Sequence, residues 1–154
     1  MTLLSEIYNT RILELAAAIP HAKRLTDPDA TATAHSKLCG STVTVDIKVA
    51  GGRVTEFGQT VKACLLGQSA ASVVGREIVG SSADELRDVG HIMRCMLKQG
   101  GPPPTGRWAD LAVLQPVKDY KARHASTLLV FDAVEKALAE IEARRPPAAA
   151  GAPI

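Results

Sequence analysis

The side chains best suited to sulfur or soft-metal chemistry are three cysteines, Cys39, Cys64 and Cys95, and four histidines, His21, His35, His91 and His124. Cys39 lies in "HSKLCGSTVTV", at the mouth of an alternating run, and Cys64 follows a second β-leaning run, "VTEFGQTVKA". If the two runs pair as a hairpin, the chain returns to its starting end and the two thiols lie near one another. Such a pair can bind a soft metal or pass sulfur. It can equally be two unrelated packed cysteines, since free Cys is among the most buried residue types. His124, in "KARHASTLL", stands just before a helical pattern. An imidazole there can ligate zinc or iron, cap the helix in solvent, or activate Cys39 as the base of a thiol enzyme. His91 and Cys95 are i, i+4 neighbours beside an apolar stripe, a spacing that either chelates a metal or is structural. His21 and His35 fall in a Pro/Asp/Thr-rich stretch, with His35 near enough to Cys39 to be a spare ligand. Ser69 and Ser72 lack a G-x-S-x-G elbow, and the glycines form no phosphate loop.

The elements that must position these groups follow from periodicity. Leu3, Leu4, Ile7, Ile12, Leu15 and Ile19 recur at helical spacing up to Pro20, which predicts an amphipathic helix. Residues 20–38 read as a long irregular loop. Val43, Val45, Ile47 and Val49 alternate with Thr42, Thr44, Asp46 and Lys48, a strand with one buried face. Gly51-Gly52 supplies a hairpin turn, and Gly58 marks a bulge where the apolar phase slips between Val54 and Phe57. "LLGQSAASVVGREIV" predicts a helix buried on most sides. Ser82 and Glu85 have capping-box spacing ahead of a stripe at Leu86, Val89, Met93, Met96 and Leu97. "RWADLAVL" predicts a short helix stopped near Pro116. Leu128, Phe131, Val134, Leu138 and Ile141 predict the last helix, with Glu135, Lys136, Glu140 and Glu142 facing out. A helix, a hairpin and then several helices make an α+β class: an antiparallel sheet, its core a β-hairpin, packed by helices on one face.

At 154 residues the chain suits one domain over residues 1–143, with a Pro/Ala-rich disordered tail over 144–154. Hydrophobic residues make up 46% and aromatics 3%, so aliphatic packing fills the core. Eighteen basic against 16 acidic residues leave a formal charge of +2, too balanced for nucleic acid as the main partner. No apolar run approaches the roughly 18–20 residues of a membrane span. "MTLLSEIYNTRIL" lacks the basic and apolar regions of a signal peptide. An odd number of cysteines at irregular spacing argues against a disulfide framework and for a reducing, cytoplasmic setting.

The segments "LCGSTVTVDIKVAGGRVTEFGQTVKACLLGQSAASVV" and "YKARHASTLLVFDAVEKAL" resemble the iron–sulfur cluster assembly scaffolds of the IscU/NifU N-terminal/SufU family, from about Ile7 to Ile141. The long segment from Gly80 to Asp119 resembles the SufU-like branch, and "LQPVK" at 114–118 resembles the chaperone-recognised Leu-Pro-Pro-Val-Lys of the IscU branch. The resemblance implies an α+β sandwich that receives sulfur from a cysteine desulfurase and holds a [2Fe–2S] cluster or Zn2+ before passing it to recipient proteins. It implies a scaffold or sulfur carrier rather than a turnover enzyme. Residue by residue, Cys39 matches the first ligand cysteine and persulfide acceptor, Cys64 the second, and the third cysteine position falls on His124. The family's aspartate in Cys-Gly-Asp is Ser41 here, and Ser36-Lys37-Leu38 replaces the usual Asn-Pro. The implied ligand set is Cys39, Cys64 and His124, with Ser41 a weaker donor than carboxylate. Imidazole for thiolate raises a cluster's reduction potential, and two Cys and one His leave zinc a fourth, open position. A paralogue that kept the fold as a partner-binding module, without cluster chemistry, is the alternative.

Overall fold

The alternation from Val43 to Val49 builds the central strand of a three-stranded antiparallel sheet, with Val43, Val45 and Ile47 fully buried on one face. The computed structural model describes residues 9–37 and 40–144. In chain order these form α1 (Thr10–Ala17), β1 (Ala30–His35), β2 (Thr42–Ala50), β3 (Arg53–Lys62), α2 (Leu65–Glu77) and α3 (Ala83–Gln99). Two runs of 3₁₀ turns, Gly106–Asp119 and Lys121–Arg123, lead into α4 (His124–Ala143). The strand order is β1-β2-β3. Helix α4 packs on β1 and β2, α2 packs on β3, and α1 and α3 pack outside them, so the predicted α+β layering holds. Both predicted apolar stripes, on α3 and α4, are buried.

The stretch 20–38 is not irregular throughout, because β1 lies within it and pairs with β2 from Ala30↔Ile47 to His35↔Thr42. Its inward residues are alanines, too weakly apolar to announce a strand. The bulge sits away from Gly58. Lys48 pairs with Glu56 and Val49 with Val54, so Thr55 is the extra residue, beside the Gly51-Gly52 turn. Gly58 is in register opposite Asp46, and its bareness serves another end: a Cβ there would lie 2.3 Å from the Lys23 carbonyl oxygen. The 20–29 segment crosses the outer face of the sheet at this point and also binds the free edge of β3, where the Gln59 N–H donates to His21 O at 2.9 Å. An edge strand covered in this way is closed to a further strand.

Asp46, on the face expected to be solvated, is fully buried under that segment. Its carboxylate accepts from Arg24 Nε at 2.6 Å, Thr31 Oγ1 at 2.6 Å and the Leu25 N–H at 3.0 Å. Burial pushes its pKa up, but these donors outweigh burial and hold it below the ordinary carboxylate range.

Helix α1 buries Ile12 and Leu15, is capped by Asn9 Oδ1 accepting from the Ile12 N–H, and ends at Ala17, three residues before Pro20. Leu3, Leu4 and Ile7 lie outside the described residues, as does the predicted tail from residue 145. Ser82 caps α3 as its spacing predicts, accepting from the Glu85 N–H at 3.1 Å. Glu85 does not complete the box. Its carboxylate accepts from Trp108 Nε1 at 2.8 Å and Arg107 at 2.6 Å, tying the 3₁₀ segment to α3. That segment runs through Pro116 rather than stopping there. Trp108, Leu111, Leu114 and Val117 enter the core at three-residue intervals, the period of a 3₁₀ turn.

Candidate functional site

Cys64 ends the β3 excursion and is the N-cap residue of α2, with extended backbone and a half-buried thiol. An anion gathered there meets the positive end of a 13-residue helix. Thr42 pairs with Lys62, so the head of β2, preceded by Gly40 and Ser41, occupies the same end of the sheet as Cys64. A tight turn shapes that head: the Gly40 N–H donates to Ser36 O and the Ser36 N–H to Ser41 O, both at 2.9 Å. Gly40 has φ +70°, the left-handed region that glycine favours. Ser41 is buried. Leu38 and Cys39 lie outside the described residues.

The side chain that meets Cys64 is Ser126, in the first turn of α4, with Sγ and Oγ 3.4 Å apart. Ser126 also donates its hydroxyl proton to Arg123 O at 3.2 Å. A hydroxyl has one proton, so in this arrangement the Cys64 thiol donates to Ser126. Once Cys64 is a thiolate, the hydroxyl must turn from Arg123 O toward the sulfur. Close helix approach makes the contact: a Cβ on Gly67 would lie 2.8 Å from Ser126 O and 2.8 Å from Ala63 Cβ.

His124 is buried at the start of α4, and its Nε2 lies 3.0 Å from Val117 O and 3.1 Å from Lys118 O. Carbonyls only accept, so Nε2 carries a proton, and Nδ1 is the nitrogen left to ligate a metal. Residues two apart on an α-helix stand about 200° apart around its axis. With Ser126 turned to Cys64, His124 faces instead a groove of about 540 Å³ lined by Leu97, Lys98, Lys118, Lys121 and Ala125. The described contacts thus bring Ser126 to Cys64 and hold His124 through Nε2 at the Val117 and Lys118 carbonyls. The small-residue pair Gly67 and Ser126 was the signal available in the sequence for this helix contact.

Of the other histidines, His35 stands at this same sheet end, where it pairs with Thr42 across β1 and β2. His21 sets its ring edge-on to Phe57, and His35 is exposed at the end of β1. His91 Nε2 meets Cys95 Sγ at 3.6 Å on α3. Among the described residues no three His, Cys, Asp or Glu side chains gather to hold a metal ion. No helix among them is long and apolar enough to cross a membrane.

No family model matches the sequence. The crystal structure of a nitrogen-fixing NifU-like protein (N-terminal) from Brucella abortus aligns with a TM-score of 0.91 and 54% identity, covering 92% of this chain and 99% of that one. The chain belongs to the IscU/NifU-like iron–sulfur scaffold family. The iron–sulfur cluster assembly scaffold protein IscU of Thermotoga maritima is 23% identical over 135 residues, 88% of this chain and 94% of its own length. FiSufU, a SUF-system scaffold from Fervidobacterium islandicum, shares the fold at TM-score 0.79 and 18% identity, covering 86% of this chain and 97% of that one. The likeness to the SufU-like branch is thus one of fold. Within the IscU/NifU-like fold, the sheet end that carries Gly40–Ser41 and Cys64 is closed from the side by Ser126 of α4.

Proposed function

We propose that this chain is an iron–sulfur cluster assembly scaffold or sulfur acceptor of the cytoplasm, served by a cysteine desulfurase and delivering to iron–sulfur recipient proteins. The observation that carries the reading is Cys64, a half-buried thiol at the N-terminus of α2, at the same sheet end as Gly40 and Ser41, the two residues that follow Cys39 in sequence. Thiolate donors suit zinc and iron, and the reading takes Cys39 as the second beside Cys64. Cys39 is the acceptor. Its thiolate attacks the terminal sulfur of the donor's persulfide, the donor S–S bond breaks and the donor thiolate leaves. Cys39 then carries S–SH, with no net gain or loss of electrons.

The ligand set is Cys39, Cys64 and His124, with Zn2+ or a [2Fe–2S] cluster as the cargo. In favour of His124 is its tautomer, because a ring held through Nε2–H by backbone carbonyls offers Nδ1 as a metal-ligating imidazole does. Ser126 is the competing donor, already beside Cys64. Chaperone recognition through "LQPVK" requires that segment to leave the core first, since Leu114 and Val117 are fully buried.

Anaerobic incubation with a cysteine desulfurase, cysteine and Fe2+, without and then with a thiol reductant to take persulfide sulfur to sulfide, tests the reading. Bound iron and sulfide, with a persulfide on Cys39 and loss of both in C39A and C64A, support it. A metal-free, persulfide-free product overturns it. The second reading, a partner-binding module, draws on the hydroxyl beside Cys64 and on the engaged Nε2 of His124. It predicts that C39A binds protein partners as the wild type does.

A further inference from the structure

We propose that His91 and Cys95 form a second metal site, on the surface of α3 and separate from Cys39 and Cys64, for a soft divalent ion such as Zn2+. The pair is one helical turn apart on one face, and Cys95 Sγ lies 3.6 Å from His91 Nε2. A zinc ion holds thiolate sulfur at about 2.3 Å and imidazole nitrogen at about 2.0–2.1 Å, so tetrahedral geometry sets the two donors about 3.5–3.6 Å apart. The two side chains already stand at that bite. His91 is exposed and Cys95 half-buried, so the site is open to solvent on the imidazole side.

The surroundings suit a cation. Cys95 lies in the last two turns of α3, where the helix carries partial negative charge. Its carbonyl accepts from the Gly100 and Gly101 N–H groups, which fixes the turn that presents the thiol. Exposed Asp88, three residues before His91, forms no ion pair among the described residues and adds negative charge on that side. Arg94 is engaged by Asp132 and Glu135 of α4, while Lys98 borders the groove beside His124. Binding Zn2+ forms the Zn–S and Zn–N bonds and releases the thiol proton to solvent. Two protein ligands leave two positions for water or for donors of another protein. The ion is therefore held loosely and can be handed on, unlike one in a closed four-ligand structural site.

Cobalt(II) is the probe. Titrated alone into the full-length C39A/C64A variant, it is expected to bind once per chain with a thiolate-to-cobalt charge-transfer band. Adding C95S or H91A to that variant should abolish the band and weaken binding about tenfold or more, with helical circular dichroism unchanged because neither side chain is in the core. In the otherwise unaltered chain, H91A/C95S should lower the zinc stoichiometry by one ion, which keeps the test open if C39A/C64A does not fold. Absence of the band, or a band and stoichiometry unmoved by C95S, overturns the proposal. Failure of cluster assembly at Cys39 and Cys64 leaves it standing.

Discussion

Cys64 Sγ lies 3.4 Å from Ser126 Oγ, joining the N-termini of α2 and α4 at one end of the sheet. This contact gives Cys64 a hydroxyl neighbour and fixes which face of α4 looks toward the sheet end. In Ser126→Cys a second sulfur stands where the hydroxyl was. Zinc affinity, measured by competition with a chromophoric chelator, should rise by at least about tenfold, on the order of 1.4 kcal/mol. No gain would mean that the Ser126 face does not open on the metal position.

Gly67 sets the distance between those helices. Gly67→Ala places a methyl 2.8 Å from the Ser126 carbonyl oxygen, a backbone atom that yields only if α4 moves. The expected loss of stability is about 1–3 kcal/mol by urea denaturation, together with weaker zinc binding. Wild-type stability and affinity would show that the helices tolerate the displacement.

Asp46 anchors the 20–29 segment to the outer face of the sheet. Asp46→Ala leaves the Thr31 hydroxyl and the Leu25 N–H without their acceptor and frees Arg24. It should destabilise the fold by about 2–4 kcal/mol, and Asp46→Asn by less, since the amide keeps one acceptor oxygen. Hydrogen exchange should locate the loosening in residues 20–29 and β1. A change below about 0.5 kcal/mol, the range of an ordinary surface substitution, would contradict this account of the segment.

Asp110 joins α1, α2 and the 3₁₀ segment, accepting from Arg11 at 2.5 Å and Arg76 at 2.7 Å. These hydrogen bonds lower its pKa to about 2. A depressed folded-state pKa stabilises above the unfolded value, and the contribution is lost as pH falls through the folded one. Chemical denaturation should therefore show stability declining between about pH 4 and about pH 2, with roughly 1 kcal/mol from this site after solvent screening. Asp110→Asn should remove that part of the slope. An identical slope in the variant would assign the acid lability elsewhere.

Much of this architecture was legible where apolar residues carried the period. Val43, Val45 and Ile47 gave β2, and the α3 and α4 stripes gave their buried faces. Strand β1 was hidden because Ala30, Ala32 and Ala34 line its inner face, and alanine signals helix as readily as strand. Asp46 read as a solvated position because its cover comes from Arg24 and Leu25, more than 20 residues away in sequence. The Cys64 end followed from hairpin logic alone. The partner on α4 did not, because a helical start near position 124 leaves the rotation of that helix open. Only packing against Gly67 shows that Ser126 meets Cys64.

The central claim, that Cys39 and Cys64 make this chain a working scaffold or sulfur acceptor, is tested most directly by following sulfur. The full-length protein is incubated anaerobically with a cysteine desulfurase and isotopically labelled cysteine, first alone and then with Fe2+ and a thiol reductant, and peptides carrying label are identified by mass spectrometry. The account predicts labelled persulfide on the Cys39 peptide, its loss in Cys39→Ala, and labelled sulfide retained with iron only when Cys64 is also present. Label confined to the desulfurase, with none on Cys39, would contradict it.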